Sequence, residues 1–305
     1  MISIINVTDG IAKKAFPVPS REVNKGTFGR AAIFAGSNTY GGAAMLSLGG
    51  AAATLGAGYV QLYSVERVAN ACFCAFPELL ISSLSQREGA LFPTEEELSC
   101  ALQNKTAVAV GMGMTAGKET YATVCRILRT FAKTVVLDAD ALNALSCYGK
   151  EVLSEAKGKV ILTPHPVEFS RLTGVSTAQI LADPLPILHE FCRKYGVTVL
   201  LKGATTLVTD GKETYRSSSG APGMAKAGSG DVLAGVLAGL FAREGALPTP
   251  LSSPLMAAIG AYVAGKAGEI AQSSSNPYSA LPSDTVRAIA SAVTQIYNAP
   301  NDGEK

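Results

Sequence analysis

Residues 134–145 read TVVLDADALNAL: a short apolar run, two acids, then the start of a helix-length stretch. A continuous apolar run that stops at Gly, Pro or Asp is the mark of a strand buried on both faces. The same unit recurs in both directions. Upstream are AAIFAG (31–36), YVQLYSV (59–65) and AVAVGMG (107–113). Downstream are KVILTPH (159–165), VTVLLKG (197–203) and TTLVTDG (205–211). Between the runs lie segments of helical length, 118–132, 141–156 and 186–195. This alternation predicts an α/β fold with a parallel sheet covered on both sides. The last third changes character, and 231–241 and 254–271, rich in Ala and Gly, read as packed helices.

One domain is expected over 26–297. Residues 1–25, with Pro17 and Pro19, read as a lead-in with room for one helix, and 298–305 as a disordered tail. LPTPLSSP (247–254) joins helices and is not a domain linker, and no internal repeat is visible. With 26 Lys and Arg against 24 Asp and Glu, the net charge is +2, so no electrostatic footprint points to nucleic acid or an anionic membrane. None of the six cysteines forms C-x-x-C and only two histidines are present, which argues against a zinc site and for reduced thiols in a cytoplasmic protein. The N-terminus lacks the pattern of a signal peptide. Residues 40–60 are uncharged but contain six Gly, so they are expected to form a buried Gly-rich helix, not a membrane span.

The chemistry-capable residues fall just past the strand ends: Ser37, Gly113, Asp138 and Asp140, Thr163, His165 and Glu168, Lys202 and Thr205. Ligands of open α/β sheets bind at that edge. In GMAKAGSGDVLAGVLAGL (223–240) the turn Gly228-Ser229-Gly230 leads into an apolar helix with Asp231 in its first turn. Such a turn is a phosphate cradle, and the helix field favours an ionised Asp231 available as a base. The alternative is an ordinary helix cap. In TPHPVEF (163–169) two prolines fix what His165 presents, either a functional ring or a structural histidine. Glu168 is either a magnesium ligand through water or a first-turn helix acid. Asp138 and Asp140 alternate along an extended chain, so one is expected to reach the cleft while the other caps the following helix. Lys202 stands beside a nucleotide or is the solvated Lys of a hairpin.

Taken together, KGTFGRAAIFAGSNTYGGAAM, LDADALNAL, ILTPHPVEFSRLTG, LLKGATTLVTDG and PGMAKAGSGDVLAGVLAG, in this order, resemble NAD(P)H-hydrate dehydratase of the ribokinase-like superfamily, from Lys25 to Arg287. The resemblance implies a ribokinase-like three-layer α/β/α sandwich with a mostly parallel central sheet. It implies dehydration of the S-epimer of hydrated NADH or NADPH, driven by ADP or ATP with Mg2+. Asp231 matches the family's base. Ala43, Gly113 and His165 match positions that contact the hydrated dinucleotide. Lys202, Gly203, Ala204, Thr205, Thr206, Gly228, Ser229 and Gly230 match positions around the adenine nucleotide. The resemblance further implies a homotetramer and a separate epimerase as functional partner. This chain departs from the pattern at Ala221, Thr115 and Ala264, where the family often has Asn, Gly and His.

Two other readings compete. A kinase of a small hydroxylated metabolite, a hydroxymethylpyrimidine or thiazole alcohol, would use the same Asp231 and stop after phosphoryl transfer. Kinases of this fold carry Asn where His165 stands. A nucleotide-binding regulator without turnover would have no use for Asp231 beside phosphates.

Overall fold

A computed structural model describes residues 3–53 and 56–300. The strands are β1 (Ile4–Asn6), β2 (Arg30–Phe34), β3 (Tyr59–Ser64), β4 (Leu80–Ser83), β5 (Gln86–Arg87), β6 (Ala90–Leu91), β7 (Ala107–Val110), β8 (Thr134–Leu137), β9 (Val160–Leu162), β10 (Thr198–Leu201), β11 (Thr206–Thr209) and β12 (Thr214–Ser217). The helices are α1 (Asp9–Lys13), α2 (Gly41–Ala53), α3 (Glu66–Ala75), α4 (Glu95–Leu102), α5 (Lys118–Thr130), α6 (Asp140–Tyr148), α7 (Pro166–Thr173), α8 (Thr177–Ala182), α9 (Pro184–Tyr195), α10 (Ser229–Ala242), α11 (Ser253–Ser273) and α12 (Pro282–Asn298). Ten strands form one sheet in the order β1-β12-β11-β10-β9-β8-β7-β2-β3-β4. Within it β11 runs against both neighbours. The other pairings are parallel. β5 and β6 make a separate hairpin.

β7, β8 and β9 are fully buried, which is why they read as continuous apolar runs without alternation. Their register pairs Val110 with Leu137 and Leu137 with Leu162, so the residues that follow emerge side by side at one edge. Helices α2, α10, α11 and α12 pack together as one layer, and α5 through α9 succeed one another as the other.

The uncharged stretch 40–60 begins with α2, whose Ala44, Ser47, Leu48, Gly49, Gly50 and Ala51 are buried. A Cβ on Gly50 would sit 2.5 Å from Val232 O, and one on Gly235 only 2.0 Å from Ser47 O. The two helices therefore cross backbone against backbone, which side chains would prevent. α11 is buried against β10, β11, β12, α10 and α12, so the core takes this Ala-rich helix. Among the described residues no helix is long and apolar enough to cross a membrane.

Some boundaries differ from those read in the sequence. The helix expected over 141–156 ends at Tyr148, because Gly149 at φ 135° turns the chain out before a separate 3-10 turn at Glu151–Glu155. The lead-in supplies both a helix and a strand: β1 extends the sheet beside β12, and Asp9 accepts hydrogen bonds from Tyr262 Oη (3.0 Å) and Lys266 Nζ (2.7 Å) of α11. At the other end α12 continues through Asn298, and 301–305 of the expected tail lie outside the described residues.

Candidate active site

Polar side chains converge where β8, β9 and β10 end. Asp138, 1% exposed, is the hub: its Oδ1 accepts from Lys202 Nζ at 2.8 Å and from Thr163 Oγ1 at 2.7 Å. Lys202 also lies 3.9 Å from Glu168 Oε2. Burial alone would lower the Lys202 pKa, but the facing carboxylates of Asp138, Glu168 and Asp231 outweigh it and raise it. The solvated hairpin lysine considered from the sequence is therefore not what forms. Lys202 does begin a β10–β11 hairpin, and Gly203, Ala204 and Thr205 are exposed at its tip, with Thr206 opening β11.

The first turn of α10 lies over this pair. A Cβ on Gly230 would be 3.3 Å from Lys202 Nζ and 3.5 Å from Asp138 Oδ2. Gly228 takes the N-cap position at φ 103°, and no side chain caps the helix. Among the described residues, the N–H groups of Gly230 and Asp231 have no hydrogen-bond partner. Of the two readings of this turn, the side-chain-capped helix is not realised, and the turn leaves these donors open. Asp231 differs from expectation in one respect. Burial pushes its carboxyl up to about 7, Asp138 and Asp140 push the same way and Lys202 opposes, so the helix field does not keep it fully ionised at neutral pH.

Asp138 and Asp140 do not alternate across the cleft as an extended chain would place them. Ala139 between them has φ 47° and ψ −114°, a conformation rare for a residue with a side chain, and it turns both acids toward Asp231. Asp140 is the first residue of α6 and does not cap it. Its Oδ2 accepts from Thr115 N of the neighbouring loop at 2.8 Å. Burial raises its pKa, and Asp138 adds to the effect while the Thr115 N–H opposes it.

His165 is the N-cap of α7. Its Nδ1 accepts from Val167 N (3.1 Å) and Glu168 N (3.2 Å), and Glu168 Oε2 accepts from His165 N (2.8 Å), a reciprocal capping box. Burial, Lys202 and Arg171 lower the His165 pKa. With Nδ1 engaged as an acceptor, the proton of the neutral ring is assigned to Nε2. The ring remains 47% exposed, so Nε2–H can still meet a ligand. Glu168 is thus a first-turn acid by geometry. Burial raises its pKa against the pull of Lys202. Among the described residues no cluster of three or more His, Cys, Asp or Glu forms a metal cage.

The opposite wall comes from β7 and α2. A Cβ on Gly113 would be 2.7 Å from Tyr40 O and 2.8 Å from Ala43 Cβ, so Gly113 and Ala43 are in contact. Leu46 of α2 reaches Gly228 in turn. The structure thus gathers Ala43, Gly113, His165, Glu168, 202–206 and 228–231 at one edge of the sheet. The motifs place Asp138 at a strand end but do not pair it with Lys202. The available signal was an acid and a lysine at corresponding ends of two strands that share a neighbour.

The NAD(P)H-hydrate dehydratase family model matches residues 31–291. The chain belongs to this family. It is 37% identical over 236 residues to the ADP-dependent (S)-NAD(P)H-hydrate dehydratase of Neisseria meningitidis, covering 75% of this chain and 74% of that one. It is 34% identical over 261 residues to the bifunctional NAD(P)H-hydrate repair enzyme of Thermofilum pendens, covering 84% of this chain but 48% of the relative. The chain thus spans about half the length of the bifunctional relatives it matches. The ADP/ATP-dependent NAD(P)H-hydrate dehydratase of Bacillus subtilis, co-crystallised with ATP and Mg2+, superposes with a TM-score of 0.80 at 25% identity over 97% of this chain and all of the other. A hydroxyethylthiazole kinase from Pyrococcus horikoshii, at 18% identity and a TM-score of 0.59, shares the ribokinase-like fold.

Proposed function

We propose that this family member dehydrates the S-epimer of hydrated NADH or NADPH, using ADP or ATP. The observation that carries the reading is Asp231 on the uncapped first turn of α10, beside two open backbone donors and the Lys202 ammonium. Asp231 takes the proton from the C6 hydroxyl of the hydrated ring, and that oxygen forms a bond to the terminal phosphorus as the bond to the nucleotide's bridging oxygen breaks. The ring nitrogen's electron pair then expels the phosphate from C6, a proton leaves C5, and the dihydronicotinamide is restored. The products are NAD(P)H, phosphate, and AMP or ADP. Phosphorylation replaces hydroxide, a poor leaving group, with phosphate.

The N–H groups of Gly230 and Asp231 hold the transferring phosphate, and Gly203 to Thr206 line the nucleotide. Ala43, Gly113 and the Nε2–H of His165 meet the hydrated dinucleotide. Three carboxylates, Asp138, Glu168 and Asp231, face Lys202, and Asp140 adds its charge beside Asp231, a donor set that suits a polyphosphate only when a cation accompanies it. Magnesium, reached through water from Glu168, would supply that charge when bound. A homotetramer, a cytoplasmic setting and a separate epimerase go with this activity by family resemblance. The test is incubation of the protein with hydrated NADH and ADP or ATP, with recovery of dihydronicotinamide absorbance as the readout. Accumulation of a phosphorylated substrate without that recovery would make the protein a kinase. No reaction with either nucleotide would overturn the proposal.

A further inference from the structure

Arg243 follows the last residue of α10, and Thr106, which leads into β7, bonds to Ala242 O there. The 14 residues of α10 put this end roughly 20 Å from the Asp231 turn, on the opposite edge of the sheet. Arg243 is only 7% exposed. Its guanidinium donates one hydrogen bond, from Nη2 to Ala15 O, and lies over the Phe16 ring at 4.7 Å. Its Nε is buried without a partner. Among the described residues, every ion pair involves another cation. The helix C-terminus and the ring favour a cation here, but among the described residues they leave Nε unmet. A charge this buried is ordinarily paired. Burial without compensation also lowers its pKa to about 10.

The side chain lines a cavity of about 340 Å³ together with Phe16, Pro17, Phe28 and Tyr297. Phe16, Pro17 and Tyr297 also wall a hollow of about 590 Å³ whose rim carries Lys13 and Lys14. Among the described residues, no acidic residue lines either space. Three cations, three aromatic rings and no carboxylate among the described residues therefore surround one concavity, distant from the transferring phosphate.

We propose that this cavity is a second ligand site, for an organic anion whose phosphate or carboxylate head pairs with Arg243 and whose flat apolar body lies against Phe16 and Tyr297. Planar bidentate recognition of such heads is what a guanidinium fork supplies and an ammonium does not. The combined space suits a ligand of mononucleotide size or smaller.

Phenylphosphonate, a dianion on an aromatic ring, is the probe, titrated onto the full chain by calorimetry and saturation-transfer NMR. It should bind wild type and Gly230→Val alike, because that substitution obstructs only the cradle at the far end of α10. Arg243→Met should weaken it about tenfold or more. Lys14→Gln, on the exposed rim, should weaken it about twofold to threefold whether or not the Arg243 variant folds. Absence of saturable binding, loss of binding in Gly230→Val, or equal affinity in a folded Arg243→Met would overturn the proposal.

Discussion

Asp231 carries the sharpest expectations at the scale of single residues. Asn matches its shape but takes no proton at neutral pH. Asp231→Asn should therefore bind ADP and hydrated NADH as wild type does, while turnover falls about a hundredfold to ten-thousandfold. The wild-type kcat/KM should rise with pH along a limb centred near 7, where burial and the two neighbouring acids place the carboxyl. Stability moves the other way. The folded pKa lies above the unfolded value of about 4, so the protonated group favours the fold below that pH, and the advantage is lost as pH rises through about 7. Denaturant unfolding should find Asp231→Asn more stable than wild type at pH 8 and equal to it near pH 4. A second residue departs from the family pattern and shows its cost. Thr115 sits at φ 70°, a region β-branched side chains avoid, while its N–H serves Asp140. Thr115→Gly keeps that donor and should raise unfolding free energy by about 1 kcal/mol.

At the scale of elements, α7 and α10 each do two jobs. His165 ends the loop after β9 and caps α7 through Nδ1, a bond that an Asn side chain makes equally well. His165→Asn should therefore unfold like wild type, whereas His165→Ala should cost about 1 kcal/mol. Both variants lose the Nε2–H, and both should raise KM for hydrated NADH. Equal activity of His165→Asn and wild type would reduce His165 to a cap. α10 needs its glycines for packing. Ala is ordinarily the better helix former by about 1 kcal/mol, yet a Cβ at 235 would meet Ser47 O at 2.0 Å. Gly235→Ala should accordingly destabilise by about 1–3 kcal/mol, read as a fall in Tm, because the two backbones must part.

Over the whole molecule, the sheet sets the site and its own limits. Seven of the ten strands repeat the apolar-run unit legible in the sequence, and the polar groups after β7 to β10 emerge at one edge because those strands run in parallel register. One lateral side of the sheet, where the strand order ends, depends on β1, which covers β12. Removal of residues 1–8 would expose a row of unpaired β12 groups. Such a truncated protein should lose several degrees of Tm and aggregate faster in light scattering. Unchanged behaviour would show that β1 adds nothing to the sheet.

What the sequence by itself determined was the set of buried strands and the residue types after them. Runs such as AVAV and TVVL can pair only where both faces are covered, whereas Gly228-Ser229-Gly230 before an apolar helix left both a cap and an open anion cradle available. β1, β4 and β12 escaped notice because a three-residue strand and two short, partly polar ones, LISS and TYRS, carry no periodicity strong enough to read. The convergence of Asp138 with Lys202, 64 positions apart, was decided by tertiary structure alone. So was the basicity of Asp231, since desolvation and the distance to Asp138, Asp140 and Lys202 have no value until the strands are laid side by side. The turn at Ala139 belongs to the same class: an extended chain would part the two acids, and the bend is held by Asp140 N donating to Gly111 O of the neighbouring loop and Ala141 N donating to Asp138 O.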